Sequence, residues 1–173
     1  ADEYARQCRE LVGLLVEGLN QDFDSPEACL AGLLGLTERL FHAIPAVPGS
    51  DVSLFDHSRV VAACASCLAV SRAAQGAGDA AGEPRFRLVS IALGSIQRFI
   101  TRDVPASLLA PGETVEKGMA RRLRARSFYV GLLSGLVARR ILDAVGLPTV
   151  NRLIDAGGRS LLLLPETPQV LEQ

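Results

Sequence analysis

Two adjacent residues, Asp56 and His57, are the first candidates for chemistry in this chain of 173 residues, within the segment DVSLFDHS. Aspartate and histidine bind divalent metals, but a metal site needs several ligands that converge. The other histidine, His42, lies well upstream. The residues alone allow two interpretations of His57, either a histidine at the edge of the core or a ligand for a divalent metal.

The cysteines offer a second chemistry. Cys64 and Cys67 form a C-x-x-C pattern, which is half of a zinc motif, but Cys8 and Cys29 stand alone and provide no second pair. The pattern also falls inside an apolar stretch, which favours buried structural thiols over a metal site. Four cysteines without secretory features indicate a reducing, cytoplasmic setting.

Two glycine-containing turns and one basic segment could contact phosphates. Gly94-Ser95 separates the predicted strand FRLVSIAL from a short helix, so backbone N–H groups there could meet a phosphate. Gly157-Gly158 would let a ligand approach the backbone closely. Residues 117–140 contain seven Lys or Arg and no acid, which predicts either a solvated helix face or an RNA or subunit contact. The residues predicted to make that contact are Lys117, Arg121, Arg122, Arg124 and Arg126.

The elements that position the first two candidates are three helices within residues 1–74. Ser25-Pro26 predicts the start of the second helix, and Ser53 with Asp56 predicts a capping box at the start of the third. On the third helix the apolar face is predicted to contain Val60, Val61, Cys64 and Leu68. His57 is in register with that face, so we expect it to point towards the core.

Residues 75–84 form a Gly/Ala-rich linker, and a partial ferredoxin-like layer is predicted for 85–173. Its order is a strand, a short helix, a proline-containing loop over 103–116, a long helix over 117–145, a hairpin around 156–158, and a helix start at Thr167-Pro168. The sheet-facing side of the long helix is predicted to contain Leu123, Phe128, Leu132 and Leu136. The fold class is therefore α+β, with a helical part followed by part of a palm-like layer.

The distribution of charge and the number of predicted elements limit the possible functions further. Residues 1–56 contain ten acids and three arginines, whereas residues 57–173 contain fifteen Lys or Arg and nine acids. This asymmetry predicts two units with different surroundings. No apolar run reaches the roughly 18 residues that span a bilayer, so no membrane partner is expected. The predicted layer lacks a second helix and a fourth strand, so we expect either a piece of a larger protein or a partner that covers the gap.

Four segments carry a resemblance to a known family: DVSLFDHS, LVSIALGSIQRFI, LRARSFYVGLL and AGGRSLLLLP. In this order they resemble the large subunit of type III CRISPR effector complexes, closest to subtype A, over most of residues 38–165. The LRARSFY block is the most specific part. The resemblance implies an HD nuclease domain followed by two palm domains, bound to guide RNA and other effector subunits. It also implies that pairing with target RNA switches on single-stranded DNA cleavage and synthesis of cyclic oligoadenylates from ATP.

The resemblance also implies site residues, and the sequence departs from the family at several of them. The SLFDH segment would close the HD domain and place His57, with Asp56, near its divalent metal. The His-Asp dipeptide and the GG-D-D motif of the family are not found in these 173 residues. Where the family has D-x-S-G-I-Q and S-G-G-G-H, this chain has ALGSIQ and DAGGR. The nucleotide-binding candidates are Gly94, Ser95, Gln97, Gly157 and Gly158.

These departures predict a chain that is incomplete for both activities and acts as a scaffold. The alternative is a helical interaction module joined to an RRM-like layer that binds RNA through the basic helix at 117–140. Few aromatic residues lie on the predicted strands, which argues against this alternative because RNA recognition by such sheets depends on stacking.

Overall fold

The computed structural model describes residues 2–20, 22–75, 85–102 and 115–167. Three helices come first: α1 (Asp2–Leu19), α2 (Pro26–Phe41) and α3 (Leu54–Gln75). They are followed by β1 (Phe86–Ala92), α4 (Ile96–Thr101), α5 (Val115–Val145), a 3₁₀ turn (Thr149–Asn151), β2 (Arg152–Ala156) and β3 (Arg159–Pro165). The predicted α+β class and element order are confirmed. The loop over 103–114, most of the predicted linker and the predicted helix start at 168 lie outside the described residues.

Both predicted helix starts are observed. The Ser25 hydroxyl accepts a hydrogen bond of 3.1 Å from the backbone N–H of Ala28, and Pro26 is the first helical residue. At α3, the backbone N–H of Asp56 donates to the Ser53 hydroxyl at 2.9 Å, and that hydroxyl donates to the Asp56 carboxylate at 2.7 Å. The bonds donated by the N–H groups of Ala28 and Asp56 satisfy donors that a helix leaves without partners at its start.

The three strands form an antiparallel sheet in the order β1-β3-β2. Val89 lies opposite Leu162 in one pair, and Asp155 lies opposite Ser160 in the other. β1 and β2 are thus the edge strands of the described sheet, and Phe86 and Leu88 of β1 are exposed. This is the strand order of a split βαβ layer through its third strand, with the exposed apolar surface and unpaired edge that the sequence predicted.

The side of α5 that packs on the sheet differs from the predicted one. Buried residues on α5 are Val130, Ser134, Ala138 and Leu142. The prediction that Phe128, Leu132 and Leu136 face the sheet is therefore wrong, because all three are exposed. Small side chains let the helix approach β3 closely enough for the Ser134 and Ser160 hydroxyls to hydrogen-bond at 3.1 Å. A prediction based only on the size and hydrophobicity of the side chains therefore chose the wrong side of α5.

The core joins α3 to the sheet. Ala63 and Cys67 of α3 are fully buried and cluster with Leu142 of α5 and Leu162 to Leu164 of β3. The predicted apolar face of α3 is wrong by part of a turn, since Val60 and Val61 are exposed. His57 is also exposed, so the expectation that it faces the core is wrong as well.

Within the described part of the chain, α3 is the one helix long and apolar enough, by length and composition, to cross a membrane. Core helices of soluble proteins meet the same criteria. Two contacts of α3 fit a core helix: the thiol of Cys67 donates to the backbone carbonyl of Leu163 at 3.5 Å, and Asn151 donates to the backbone carbonyl of Ala63 at 3.1 Å.

Candidate nucleotide-binding site

The turn between β1 and α4 forms one wall of the candidate site. β1 ends at Ala92, and α4 begins at Ile96 after Gly94 and Ser95. Ser95 has a φ of 57° and is the one described residue other than glycine with a positive φ. Left-handed backbone is unfavourable for residues with a side chain, so this turn is held in place by its surroundings.

The second glycine turn supplies those surroundings. Gly157 and Gly158 have φ values of 54° and 89° and connect β2 to β3. The carbonyl of Gly158 accepts a hydrogen bond of 2.9 Å from the backbone N–H of Leu93. A Cβ at Gly158 would lie 2.5 Å from Ile96 Cδ1 and 2.8 Å from Val130 Cγ1, so only glycine fits between α4 and α5. The two predicted turns are therefore brought together.

A cavity of about 580 Å³ opens beside these turns. Its walls come from the end of β1, from α4 and from α5. Its lining residues are Leu93, Gly94, Ser95, Ile96, Arg98, Phe99, Arg102, Tyr129, Val130 and Leu133. The volume falls within the range of small-molecule sites, which are usually apolar with a few polar groups that fix orientation.

Two cations and two aromatic rings give the cavity its chemistry. Arg98 on α4 and Arg102 directly after it are exposed, and none of the lining residues that the structure describes is a carboxylate. Phe99 and Tyr129 are 43% and 49% exposed, with ring centroids 6.1 Å apart at 37°. Guanidinium groups bind phosphate through paired N–H donors, and aromatic faces stack on bases. The arrangement therefore fits a nucleotide.

The predicted nucleotide residues divide into two groups. Gly94 and Ser95 line the cavity, and Gly158 packs against two of its lining residues. Gly157 lies in the same turn as Gly158, outside the lining. Gln97 is exposed on α4 and also lies outside the lining, so the structure does not bring its side chain to the cavity.

The basic residues of α5 have different positions. Arg121 and Arg124 are exposed, whereas Arg122 and Arg126 are half-buried; the side chain of Lys117 lies outside the described residues. Arg126 donates to the backbone carbonyls of Ile100 (3.0 Å) and Arg102, and its guanidinium lies 6.0 Å from the Phe99 ring centre. Arg126 therefore holds the C-terminal end of α4, where free carbonyls attract a cation.

The predicted metal ligands do not form a site with other described residues. Asp56 and His57 are both exposed, and the Asp56 carboxylate accepts a hydrogen bond from the Ser53 hydroxyl at the start of α3. Among the residues that the structure describes, no three His, Cys, Asp or Glu side chains cluster to hold a metal ion. These two residues alone do not fit a divalent metal, which needs more ligands.

Cys64 and Cys67 were predicted to be buried structural thiols, and this holds for one of them. Cys67 is fully buried, and burial raises the pKa of its thiol to about 11. The amide of Asn151 lies 3.2 Å from its sulfur. Cys64 is half-buried, so of the two only Cys67 is the buried structural thiol that the sequence predicted.

Sequence reasoning missed the four side chains that give the cavity its character: Arg98, Phe99, Arg102 and Tyr129. A signal for two of them was present, because Arg98 and Phe99 directly follow the Gly94-Ser95 turn on the same short helix. Tyr129 was hidden because it lies in the predicted basic segment, thirty residues after Phe99. Only the packing of α4 on α5 brings it to the site.

Comparison with known proteins agrees with the family resemblance seen in the sequence. Residues 85–173 match the family model "Csm1 subunit domain B". The CRISPR system single-strand-specific deoxyribonuclease Cas10/Csm1 (subtype III-A) of Mycobacterium tuberculosis is 30% identical over 96% of this chain and 20% of that protein. Csm1 in the Csm1-Csm4 cassette has a TM-score of 0.70 with one ATP bound and 0.71 with cA4 bound, each at 28% identity. These matches cover 96% and 95% of this chain, and the chain spans about a fifth of the length of these relatives.

Proposed function

Because the chain belongs to the Csm1 family of subtype III-A CRISPR large subunits, we propose that it works in a cytoplasmic RNA-guided effector complex and binds ATP in the cavity beside β1, α4 and α5. Arg98 and Arg102 would bind the phosphates, and Phe99 and Tyr129 would contact the base. The observation that carries the proposal is a cavity lined by the Gly94-Ser95 turn and two arginines, with the second glycine turn bonded to its wall and no carboxylate among the described lining residues.

The single-strand nuclease and cyclic oligoadenylate synthase activities of the family would depend on residues other than those described. Asp56 and His57 lack a third ligand among the described residues. When bound, ATP would supply the adenylate for cyclic oligoadenylate synthesis. This chain's own contribution would be to hold that nucleotide and to act as a scaffold for the subunits around it.

ATP binding can be tested directly by titration calorimetry on the full chain. We expect the double variant Arg98→Glu/Arg102→Glu to weaken ATP binding by at least roughly tenfold, since each phosphate contact would turn from attraction to repulsion. Arg72→Glu is a matched control, because Arg72 is an exposed arginine in the last turn of α3, away from the cavity. Equal ATP affinity of the double variant and the control would contradict the proposal.

We also propose that the basic side of α5 contacts guide RNA. Arg124 is exposed there, and residues 117–140 contain no acid. Arg124→Glu should weaken guide RNA binding by the intact complex and lower the slope of log affinity against log salt by about one. Arg72→Glu again serves as the control. An unchanged salt slope with reduced co-purification of other subunits would instead assign Arg124 to a protein contact.

The RRM-like alternative is not favoured. The three strands of the described sheet contain one aromatic residue, Phe86, at the outer end of β1. RRM-type sheets stack two or three bases on aromatic side chains at the sheet centre. The family match over residues 85–173 also favours the palm interpretation.

A further inference from the structure

α4 is too short to hold its own position. It contains six residues, Ile96–Thr101, and helices shorter than roughly 12 residues are marginal without tertiary contacts. Of the side chains that would bind ATP, Phe99 lies in the second half of α4 and Arg102 directly follows it. Their placement in the cavity therefore depends on the contacts that α4 makes with other elements.

The two ends of α4 are anchored by different elements. Ahead of α4, the backbone N–H of Leu93 donates to the carbonyl of Gly158 at 2.9 Å. At the C-terminal end, one guanidinium nitrogen of Arg126 donates to the carbonyls of Ile100, at 3.0 Å, and Arg102. A cation is favourable at this end, because the last carbonyls of a helix carry partial negative charge. The turn between β2 and β3 thus holds the first end, and α5 holds the second.

Arg126 also contacts the aromatic wall of the cavity. Its guanidinium carbon lies 6.0 Å from the centre of the Phe99 ring, at the limit of a cation–π contact. The centre of the same ring lies 6.1 Å from that of Tyr129, which is three residues after Arg126 on the same side of α5. One side chain therefore bears on the Phe99 ring and on the backbone at Arg102.

Arg126 makes these contacts from outside the cavity lining. It is half-buried and is not among the described residues that line the cavity. Both of its hydrogen bonds go to backbone carbonyls of the α4 segment. A substitution of Arg126 would therefore disturb Phe99 and Arg102 without removing a group that lines the cavity.

We propose that Arg126 is a positioning residue for the nucleotide site, which holds Phe99 and Arg102 in the arrangement that accepts both the base and the phosphates of ATP. This role rests on the proposed function, because it requires that ATP binds in the cavity. Direct contact of Arg126 with a phosphate is the competing role. The two roles differ in their effect on a ligand that has no phosphate.

ATP and adenosine separate the two roles. ATP affinity is measured by titration calorimetry, and adenosine affinity by the broadening of its NMR lines, which also reports weak binding. We expect Arg126→Gln to weaken the binding of both ligands roughly tenfold, because Phe99 and Arg102 lose the same anchor. Arg98→Glu/Arg102→Glu should weaken only ATP, because adenosine carries no phosphate. A loss confined to ATP in Arg126→Gln, or no loss for either ligand, would overturn the positioning role.

Arg59 provides a matched control. It is also half-buried, donates to the backbone carbonyl of Arg152 and lies 5.7 Å from the Phe55 ring centre, outside the cavity lining. Arg59→Gln removes the same kinds of contact as Arg126→Gln, so it should lower the thermal midpoint similarly but leave the affinity for both ligands unchanged. Equal weakening of binding by the two variants would indicate general destabilisation and would overturn the proposal.

Measurements on the ligand-free chain test the position of α4 independently of ATP. The chain contains two tyrosines and no tryptophan, so a Tyr4→Phe background assigns the tyrosine emission to Tyr129. Arg126→Gln should alter that emission, because Phe99 is no longer fixed beside Tyr129, and should speed trypsin cleavage after Arg98 roughly tenfold as α4 opens. Arg59→Gln should change neither. Unchanged emission and cleavage in Arg126→Gln would overturn the role of Arg126, whereas absence of ATP binding by the natural chain would overturn the proposed function itself.

Discussion

Asn151 is the buried polar residue that joins the helical part of the chain to the sheet. Its amide nitrogen donates to the backbone carbonyls of Leu163 at 2.9 Å and Ala63 at 3.1 Å, and it lies 3.2 Å from the sulfur of Cys67. The side chain is fully buried. Its carbonyl oxygen has no hydrogen-bond partner within the described ranges of the chain. The amide group therefore connects α3 to β3 from the 3₁₀ turn.

We expect Asn151→Ala to lower the free energy of unfolding by about 2–4 kcal/mol. Two buried hydrogen bonds contribute about 1 kcal/mol each, and the vacated volume adds a cavity cost. Such a loss is a large part of the 5–15 kcal/mol typical of a domain. Urea denaturation followed by circular dichroism at 222 nm gives the value, because most of the described chain is helical.

The variant Asn151→Asp separates hydrogen bonding from volume. Its carboxylate would face the carbonyls of Ala63 and Leu163 without a donor, so the loss at neutral pH should exceed that of Asn151→Ala. Burial should raise the pKa of the new carboxyl, so this variant should regain stability relative to the natural chain as the pH falls. Asn20→Ala is the control, because Asn20 is exposed. A loss below about 0.5 kcal/mol for Asn151→Ala would refute the reasoning.

Three further predictions concern the turns and the buried thiol. Ser95→Gly should stabilise the chain by about 0.5–1 kcal/mol in urea denaturation, because glycine adopts the φ of 57° without strain; Ser90→Gly within β1 should instead destabilise it. Gly158→Ala should lower the free energy of unfolding by more than about 2 kcal/mol, because its Cβ would meet Ile96 and Val130. Gly157→Ala has open space around its Cβ and should lower it by only about 1 kcal/mol, because of the positive φ. Similar thermal midpoints for the two variants would contradict this. Burial raises the pKa of Cys67 from the ordinary 9.0 to about 11, so unfolding favours the thiolate. The contribution of this thiol to stability should be constant below pH 9 and fall as the pH rises towards 11. A Cys67→Ala variant should lose that pH dependence, and mass spectrometry after N-ethylmaleimide treatment of the native chain should find Cys67 unmodified while Cys64 reacts.

Local signals predicted the elements well because their causes are local. Ser25 and Ser53 start helices by satisfying backbone N–H groups of the following turn, and that information lies within four residues. The turn at Gly157-Gly158 likewise follows from backbone conformation alone. The α+β class and the order of strands and helices follow from the sum of such signals.

The choice of buried face could not be made locally. α5 carries apolar side chains on several sides, so its periodicity fits more than one orientation, and Phe128 and Leu132 were assigned to the core. The observed core side contains Ser134 and Ala138, whose small size matters only because β3 lies close. The same holds for α3, where Ala63 and Cys67 are buried and Val60 and Val61 are not. The contribution of small residues to packing depends on the partner surface, which a single sequence does not contain.

The candidate site was predicted in its backbone but not in its side chains. Gly94, Ser95 and Gly158 were identified because turns of unusual conformation leave a mark in composition. Tyr129 and Arg102 reach the cavity only through the packing of α4 on α5. Arg126 of the basic segment was predicted to contact RNA or another subunit. A count of charges does not reveal that its guanidinium donates to the backbone carbonyls of Ile100 and Arg102.

The departure at the β1–α4 turn affects charge more than shape. The family pattern has glycine where this chain has Ser95, and Ser95 adopts the left-handed conformation that glycine adopts easily. The bond from Leu93 N–H to the Gly158 carbonyl and the fit of Gly158 between Ile96 and Val130 hold the turn whichever residue occupies that position. The family's aspartate is replaced by Ala92, and the part of the cavity lining that the structure describes contains no carboxylate. Under the proposed function, Arg98 and Arg102 would therefore balance phosphate charge directly, so ATP binding by this chain should depend on these arginines far more than on Mg²⁺.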